Sequence, residues 1–250
     1  MSTGAPPIEV RDLTIGYGEL VVQRDLSFRV RRGDVFIVMG ASGCGKTTLL
    51  RNMVGLMQPM RGEVFYDGDP FWGSTAEERH RLTRRFGVMF QGGALWSSMT
   101  LAENVSLPLE EYTDLSAAAI REIASLKLAL VGLGGFEDYY PSEISGGMQK
   151  RAGIARAMAM DPEILFLDEP SAGLDPISSR RLDELILELR DSLGATVVVV
   201  THELPSIFAI GNDSIFLDEE AHTMIGSGDP RALRDECEQE KVRRFLRREA

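Results

Sequence analysis

Apolar and polar residues alternate over residues 8–15 and again over 20–30, the two-residue period of a strand with one buried face. Gly16, Tyr17 and Gly18 lie between them, so the pair predicts two strands joined by a turn. The period then changes. Residues 35–39 are apolar without a break, as in a strand covered on both faces. A glycine-rich loop follows, then a helical pattern over 46–57 that Gln58 and Pro59 close. Residues 63–66, with Asp67-Gly68 behind them, predict a further strand and turn.

Further along, residues 116–131 are rich in Ala, Leu, Ile, Glu and Lys and predict a helix. Residues 145–160 predict another, with Ser145 as its N-cap and Asp161-Pro162 as its end. Strand and helix then alternate: a strand at 164–168, an amphipathic helix at 177–193, a strand at 196–200, and a short helix from about Leu204 with Pro205 in its first turn. Weaker strands fall at 214–217 and 222–225, and the tail, 229–250, predicts one short charged helix. Such alternation predicts an α/β fold with a mainly parallel sheet. The expectation is one domain of 250 residues. Its core and antiparallel β portion cover about 1–91 and 163–228, a helical insert about 92–162, and the terminal helix about 229–250.

Composition changes this picture little. With 44% apolar and 26% charged residues, the chain has the make-up of a soluble domain large enough for a buried core. Its strongly apolar stretches, such as 197–200, are too short to cross a bilayer, and residues 1–7 lack the basic and apolar regions of a signal peptide. A membrane role is therefore expected only through a partner. The net charge of −11 argues against nucleic acid as the main ligand. Two cysteines, Cys44 and Cys237, make no disulfide framework and suit a reducing compartment. Cys44 lies inside the glycine loop, as a small filler or as a redox-sensitive thiol. Basic clusters at 79–85 and 243–248 are solvated helix faces or docking surfaces for a partner or anionic lipid.

Candidate chemistry changes it more. The run Gly40-Ala41-Ser42-Gly43-Cys44-Gly45-Lys46-Thr47 follows an apolar strand and opens a helix, the spacing of a phosphate-binding loop. Its glycines let backbone N–H groups turn inward around phosphate oxygens, and the helix presents its positive end to the same anion. Lys46 adds charge near the β- and γ-phosphates, Thr47 offers a hydroxyl to magnesium, and Thr48 is placed near the α- or β-phosphate. The apolar strand 164–167 ends in Asp168-Glu169, two carboxylates at the sheet edge where ligands of parallel sheets sit. Asp168 suits magnesium, and Glu169 suits polarisation of an attacking water. His202, delivered by the strand 196–200, either contacts the γ-phosphate or is an ordinary polar cap. Gln91 is an amide able to reach magnesium and water, or a strand end with some other use. Tyr17 is an adenine platform or a turn aromatic.

In order and spacing these residues resemble the ATP-binding-cassette (ABC) ATPases. The resemblance implies a P-loop fold with a RecA-like core, an N-terminal antiparallel β subdomain and an inserted helical subdomain. It makes Tyr17 the adenine-stacking aromatic, Gly40 to Thr48 the Walker A loop, Gln91 the Q-loop glutamine and a magnesium ligand, and residues 164–169 the Walker B strand. Ala172-Gly173-Leu174-Asp175 becomes the D-loop and His202 the switch histidine. Ser145, Gly146 and Gly147 become the signature that binds the ATP of a second subunit. Ile144 and Met148 depart from the usual Leu and Gln of that signature, and Ala172 from the usual D-loop serine. The cofactors implied are ATP and Mg2+, and the implied assembly is a homodimer.

A narrower resemblance, to the Mla-type (MCE-associated) phospholipid-transport ATPases, rests on four segments. These are Phe90-Gln91-Gly92-Gly93-Ala94-Leu95-Trp96, Asn104 to Leu109, Ser145 to Ala152 and Thr201-His202-Glu203-Leu204. It implies a membrane permease, a periplasmic MCE lipid-binding protein, and a place on the cytoplasmic side of a bacterial inner membrane. Leu95, Trp96, Met99 and Leu101 would then line a groove for a permease helix, or else pack the insert internally. The alternatives are another importer, a lipoprotein-releasing or cell-division ATPase, and a regulatory module with a dead site.

Overall fold

The computed structural model describes residues 4–249; Met1 to Thr3 of the N-terminal stretch and Ala250 of the tail lie outside them. The two alternating segments form β1 (Ile8–Tyr17) and β2 (Leu20–Val30), paired antiparallel. Tyr17 thus closes the first strand, opposite Leu20, instead of sitting in the turn. The unbroken apolar run is β3 (Val35–Gly40), in a second sheet. After α1 (Lys46–Met53) the chain returns to the first sheet with β4 (Arg61–Tyr66) and the short β5 (Asp69–Pro70), in the order β2-β1-β4-β5. Helix α1 ends before Gln58-Pro59 because Gly55 turns left-handed (φ 85°), and the N–H groups of Leu56 and Met57 fold back onto the Arg51 carbonyl.

Two helices had no clear periodic signal. Helix α2 (Ala76–Thr83) has no buried side chain, and a Thr75–Glu78 capping box starts it. After β6 (Phe86–Met89), α3 (Leu101–Tyr112) starts at a second capping box, Thr100–Glu103. Helix α4 (Ala117–Leu130) follows with Ser116 as N-cap, and α5 (Gly146–Ala157) with Ser145 as N-cap. Helix α5 stops at Ala157, three residues short of the expected end, because a turn through Met158 carries the chain into Asp161 at φ 49°.

Then come β7 (Ile164–Asp168), α6 (Pro176–Leu193), β8 (Thr196–Val200), α7 (Leu204–Ile210), β9 (Asp213–Asp218) and β10 (Thr223–Ser227). The tail is two helices, not one: α8 (Pro230–Glu236) and α9 (Glu240–Arg247). An extended Cys237 separates them, and Arg243 donates to the Cys237 and Glu238 carbonyls across the break.

The second sheet runs β10-β9-β3-β8-β7-β6, parallel throughout except for β10 against β9. Its central strands are apolar without a break because each serves two cores. Val35, Ile37 and Met39 of β3, with Leu165, Leu167, Val197 and Val199, face the helices of the insert and the C-terminal half. Phe36 and Val38, with Ile164, Phe166, Val198 and Val200, face α1 and the antiparallel sheet. Among the described residues no helix is long and apolar enough to cross a membrane.

Some arginines of the two basic clusters are tied to the fold. Arg85 pairs with Asp67 and Glu163, and Arg79 donates to the Ser74 carbonyl. Arg247 donates to the Arg234 carbonyl at 3.0 Å.

Candidate functional site

Strand register gathers the candidate residues. Val38 of β3 pairs with Val200 of β8, Val200 with Asp168 of β7, and Leu167 of β7 with Met89 of β6. Gly40, His202, Glu169 and Gln91 therefore leave four neighbouring strands at one C-terminal edge, where ligands bind in open parallel sheets.

The loop between β3 and α1 is shaped by its glycines. Gly40 (φ 149°) and Gly45 (φ 100°) hold backbone conformations that side chains resist. A Cβ on Gly40 would lie 2.4 Å from the Leu217 carbonyl oxygen, and one on Gly45 would lie 2.5 Å from Val22. The Lys46 ammonium is folded under the loop, donating to the carbonyls of Gly40 and Ala41, each at 2.9 Å. The Thr47 hydroxyl donates to Asp168 at 3.3 Å. Asp168 is buried, and that burial raises its pKa, against the lowering effect of the Thr47 hydrogen bond. Cys44 is buried as well, and burial pushes its thiol up, which fits the small-filler reading. Tyr17 is 49% exposed, and its hydroxyl lies 3.2 Å from that of Thr48, so its ring stands beside the start of α1.

Glu169 follows Asp168 at φ 50°, a left-handed backbone that costs about 1–2 kcal/mol for an ordinary residue. Its N–H is held by the Val200 carbonyl at 2.8 Å. Its carboxylate is bracketed by β8: His202 Nδ1 lies 2.7 Å from one oxygen, and the Thr201 hydroxyl donates to the other at 3.3 Å. The imidazole, expected at the γ-phosphate or as a polar cap, is thus held against the Glu169 carboxylate.

Two sets of residues stand apart. Gln91 is exposed in a 3-10 turn at the same edge, without a side-chain hydrogen bond among the described residues. Ser145, Gly146 and Gly147 begin α5. The Ser145 hydroxyl accepts from the Met148 N–H at 3.3 Å, and no described hydrogen bond joins the three to Lys46 or Asp168. One chain therefore forms the loop-and-carboxylate cluster but does not bring the signature to it. Among the described residues no group of three or more His, Cys, Asp or Glu is arranged to hold a metal. A hydroxyl beside a single carboxylate does suit Mg2+, which takes oxygen donors and fills its shell with phosphate and water.

Sequence reasoning missed several supports. Gln23 donates from β2 to the Cys44 carbonyl at 2.7 Å and the Asp218 carbonyl at 2.9 Å, clamping the glycine-rich loop. Buried Asn104 fastens residues 96–100 through the N–H of Trp96 and the carbonyls of Trp96, Met99 and Thr100. The groove residues divide between the two readings: Leu101 is fully buried in the insert, whereas Trp96 is 62% exposed.

A third support joins Ser171, Ser206 and Asp183. The two hydroxyls lie 3.1 Å apart, and Ser206 donates to Asp183 at 2.9 Å. Burial raises the Asp183 pKa to about 6, and its second oxygen has no hydrogen-bond partner among the described residues. A carboxyl whose folded pKa is raised costs stability above that pKa, and the cost vanishes as pH falls towards the unfolded value. Asp183→Asn should therefore melt at a higher temperature than the unaltered chain above pH 6, and the gap should close near pH 4. Melting curves across that range check it; a gap independent of pH would refute the assignment.

Comparison with known proteins gives concordant matches. The family model described as ABC transporter matches residues 23–172. The probable ribonucleotide transport ATP-binding protein mkl of Mycobacterium tuberculosis is 39% identical over 96% of this chain. The chain spans 66% of that relative's length. The intermembrane phospholipid transport system ATP-binding protein MlaF of Escherichia coli K12 is 37% identical over 96% of this chain and 88% of the relative. Among solved structures, a dimeric ATP-binding cassette in a post-hydrolysis state with ADP and Pi superposes with a TM-score of 0.79 at 29% identity, covering 88% of this chain and 97% of that one. The cbiO1 subunit of a Clostridium perfringens ABC transporter complex superposes with a TM-score of 0.83 at 26% identity, covering 93% and 92%.

Proposed function

This chain belongs to the ABC transporter family of ATP-binding cassettes, and from that premise we propose that it hydrolyses ATP to drive a membrane permease that moves phospholipid. The observation that carries the reading is Glu169. Its carboxylate is held by Thr201 and His202 on the sheet edge that also bears Lys46, Thr47 and Asp168. Lys46 exchanges the Gly40 and Ala41 carbonyls for the β- and γ-phosphates, while the loop N–H groups and the N-terminus of α1 take the remaining oxygens. Tyr17 stacks on adenine. Glu169 orients water for in-line attack on the γ-phosphate, with His202 and Gln91 beside it. Thr47, Asp168 and Gln91 would hold Mg2+, which when bound offsets phosphate charge.

Two such subunits pair head to tail. Ser145, Gly146 and Gly147 of each present the N-terminus of α5 to the ATP of the other, which accounts for the lack of a described hydrogen bond between them and Lys46 or Asp168. Closure of the pair moves the helical insert, residues 92–162, as a unit against the core. Ser145→Arg tests this arrangement: ATP binding to the isolated subunit should be unchanged, while turnover falls about a hundredfold or more. Normal turnover in that variant would refute the shared site.

The cargo reading rests on the relatives named for intermembrane phospholipid transport and on the segments 90–96 and 104–109. The exposed Trp96, with half-buried Leu95 and Met99, is the surface offered to a permease helix. The complex includes a periplasmic MCE lipid-binding protein, lies on the bacterial inner membrane with this chain on the cytoplasmic side, and uses no nucleic acid. Co-purification from membranes checks the reading: a permease with an MCE protein is expected. A permease for ribonucleotides, the cargo in the names of the mycobacterial relatives, would overturn it.

A further inference from the structure

Lys150 lies in the first half of α5, shortly after Ser145, Gly146 and Gly147, and it is 7% exposed. Its ammonium does not reach solvent as a lysine normally does. It donates to the Ala172 carbonyl and, at 3.4 Å, to the Glu169 carbonyl. Those two carbonyls bound the turn that follows the sheet edge, and the Ala172 N–H closes the same turn onto the Glu169 carbonyl at 3.3 Å. Glu169 needs such ties, because its left-handed backbone persists only where the surroundings over-determine it. Burial lowers the Lys150 pKa, opposed by the nearby charges of Glu169 and Glu203. A charge kept buried at that cost has a positional use, since an apolar residue of similar length would pack the helix face without it.

We infer that Lys150 is a positioning residue that ties the turn carrying Glu169 to the helix whose N-terminus serves the other subunit's ATP. The inference rests on the shared-site reading above. One helix then touches two sites: Ser145 meets the partner's nucleotide, and Lys150, on the same rigid element, sets the backbone of this chain's own carboxylate. Engagement of α5 by the partner's nucleotide is thereby felt at Glu169, and the two sites fire together. Helix α5 also holds the 3-10 turn that Gln91 begins, since Arg156 donates to the carbonyls of Gly93 and Ala94 at 3.0 and 2.8 Å.

The test uses the whole subunit with ATP and magnesium. Lys150→Met keeps the stem and removes the donors; Lys150→Arg restores donors to the same two carbonyls. In Lys150→Met, kcat should fall about ten- to a hundredfold, the loss expected of a misplaced reacting group. ATP affinity should hold, and the Hill coefficient for ATP should drop towards one. Lys150→Arg should recover part of both. If Lys150→Met fails to fold, Lys150→Gln, with a single shorter amide donor, is held to the same criteria. An unchanged kcat and Hill coefficient, while Ser145→Arg remains inactive, would overturn this inference alone. Normal turnover in Ser145→Arg would overturn the shared-site reading beneath it. Loss of ATP affinity in step with kcat would reduce Lys150 to a structural support and overturn the inference too.

Discussion

Glu169→Gln should lower ATP turnover by about 10²–10⁴-fold, the range contributed by a positioned general base. It should leave ATP binding intact and accumulate a closed, ATP-dependent dimer. The amide keeps the shape of the side chain and one oxygen for Thr201 or His202, but it cannot take a proton from water. The backbone ties of residue 169, to Val200 and Ala172, are untouched by the change. Light scattering with ATP and magnesium, beside a phosphate-release assay, reads both effects. Wild-type turnover with no nucleotide-dependent dimer would remove Glu169 from the mechanism.

Lys46→Ala should weaken ATP binding by about a hundredfold, equivalent to about 2.8 kcal/mol. The ammonium is already desolvated and aimed at the loop, so the phosphates gain a charge-assisted contact without a new burial cost. Its removal also frees the carbonyls of Gly40 and Ala41, so Lys46→Met, which retains the stem, separates loss of charge from loosening of the loop. Equilibrium titration with a fluorescent ATP analogue decides the matter. Equal affinity in all three proteins would contradict the phosphate-loop assignment.

Much of this architecture was legible in the chain, because the physics that sets it is local. The two-residue period of β1 and β2 and the unbroken runs of β3 and β7 reflect which faces are covered. Ser145 caps its helix for reasons contained in one turn of chain. Helix α2 was not legible because it buries no side chain, and so leaves no apolar stripe to read. The early end of α1 turned on one glycine adopting a left-handed backbone ahead of the more obvious proline. The tail divided in two because Leu233 of α8 and Val242 and Leu246 of α9 are all drawn into the core, with an extended Cys237 between them.

The candidate site divides along the same line. The sequence by itself determined the glycine loop with Lys46 and Thr47, the carboxylate pair Asp168 and Glu169, and the strands that deliver Gln91 and His202 to one edge. Each is a short motif whose spacing the chemistry dictates. Only the tertiary structure decided which groups hold those residues in place. Gln23 reaches the Asp218 carbonyl 195 positions away, Lys150 reaches Ala172 across 22, and Asp183 meets Ser206 across 23. These are side-chain contacts to main chain or to a lone hydroxyl, and they leave no periodic or compositional trace. They exist because parallel strands bring distant loops to a single edge, where most buried polar groups find a partner.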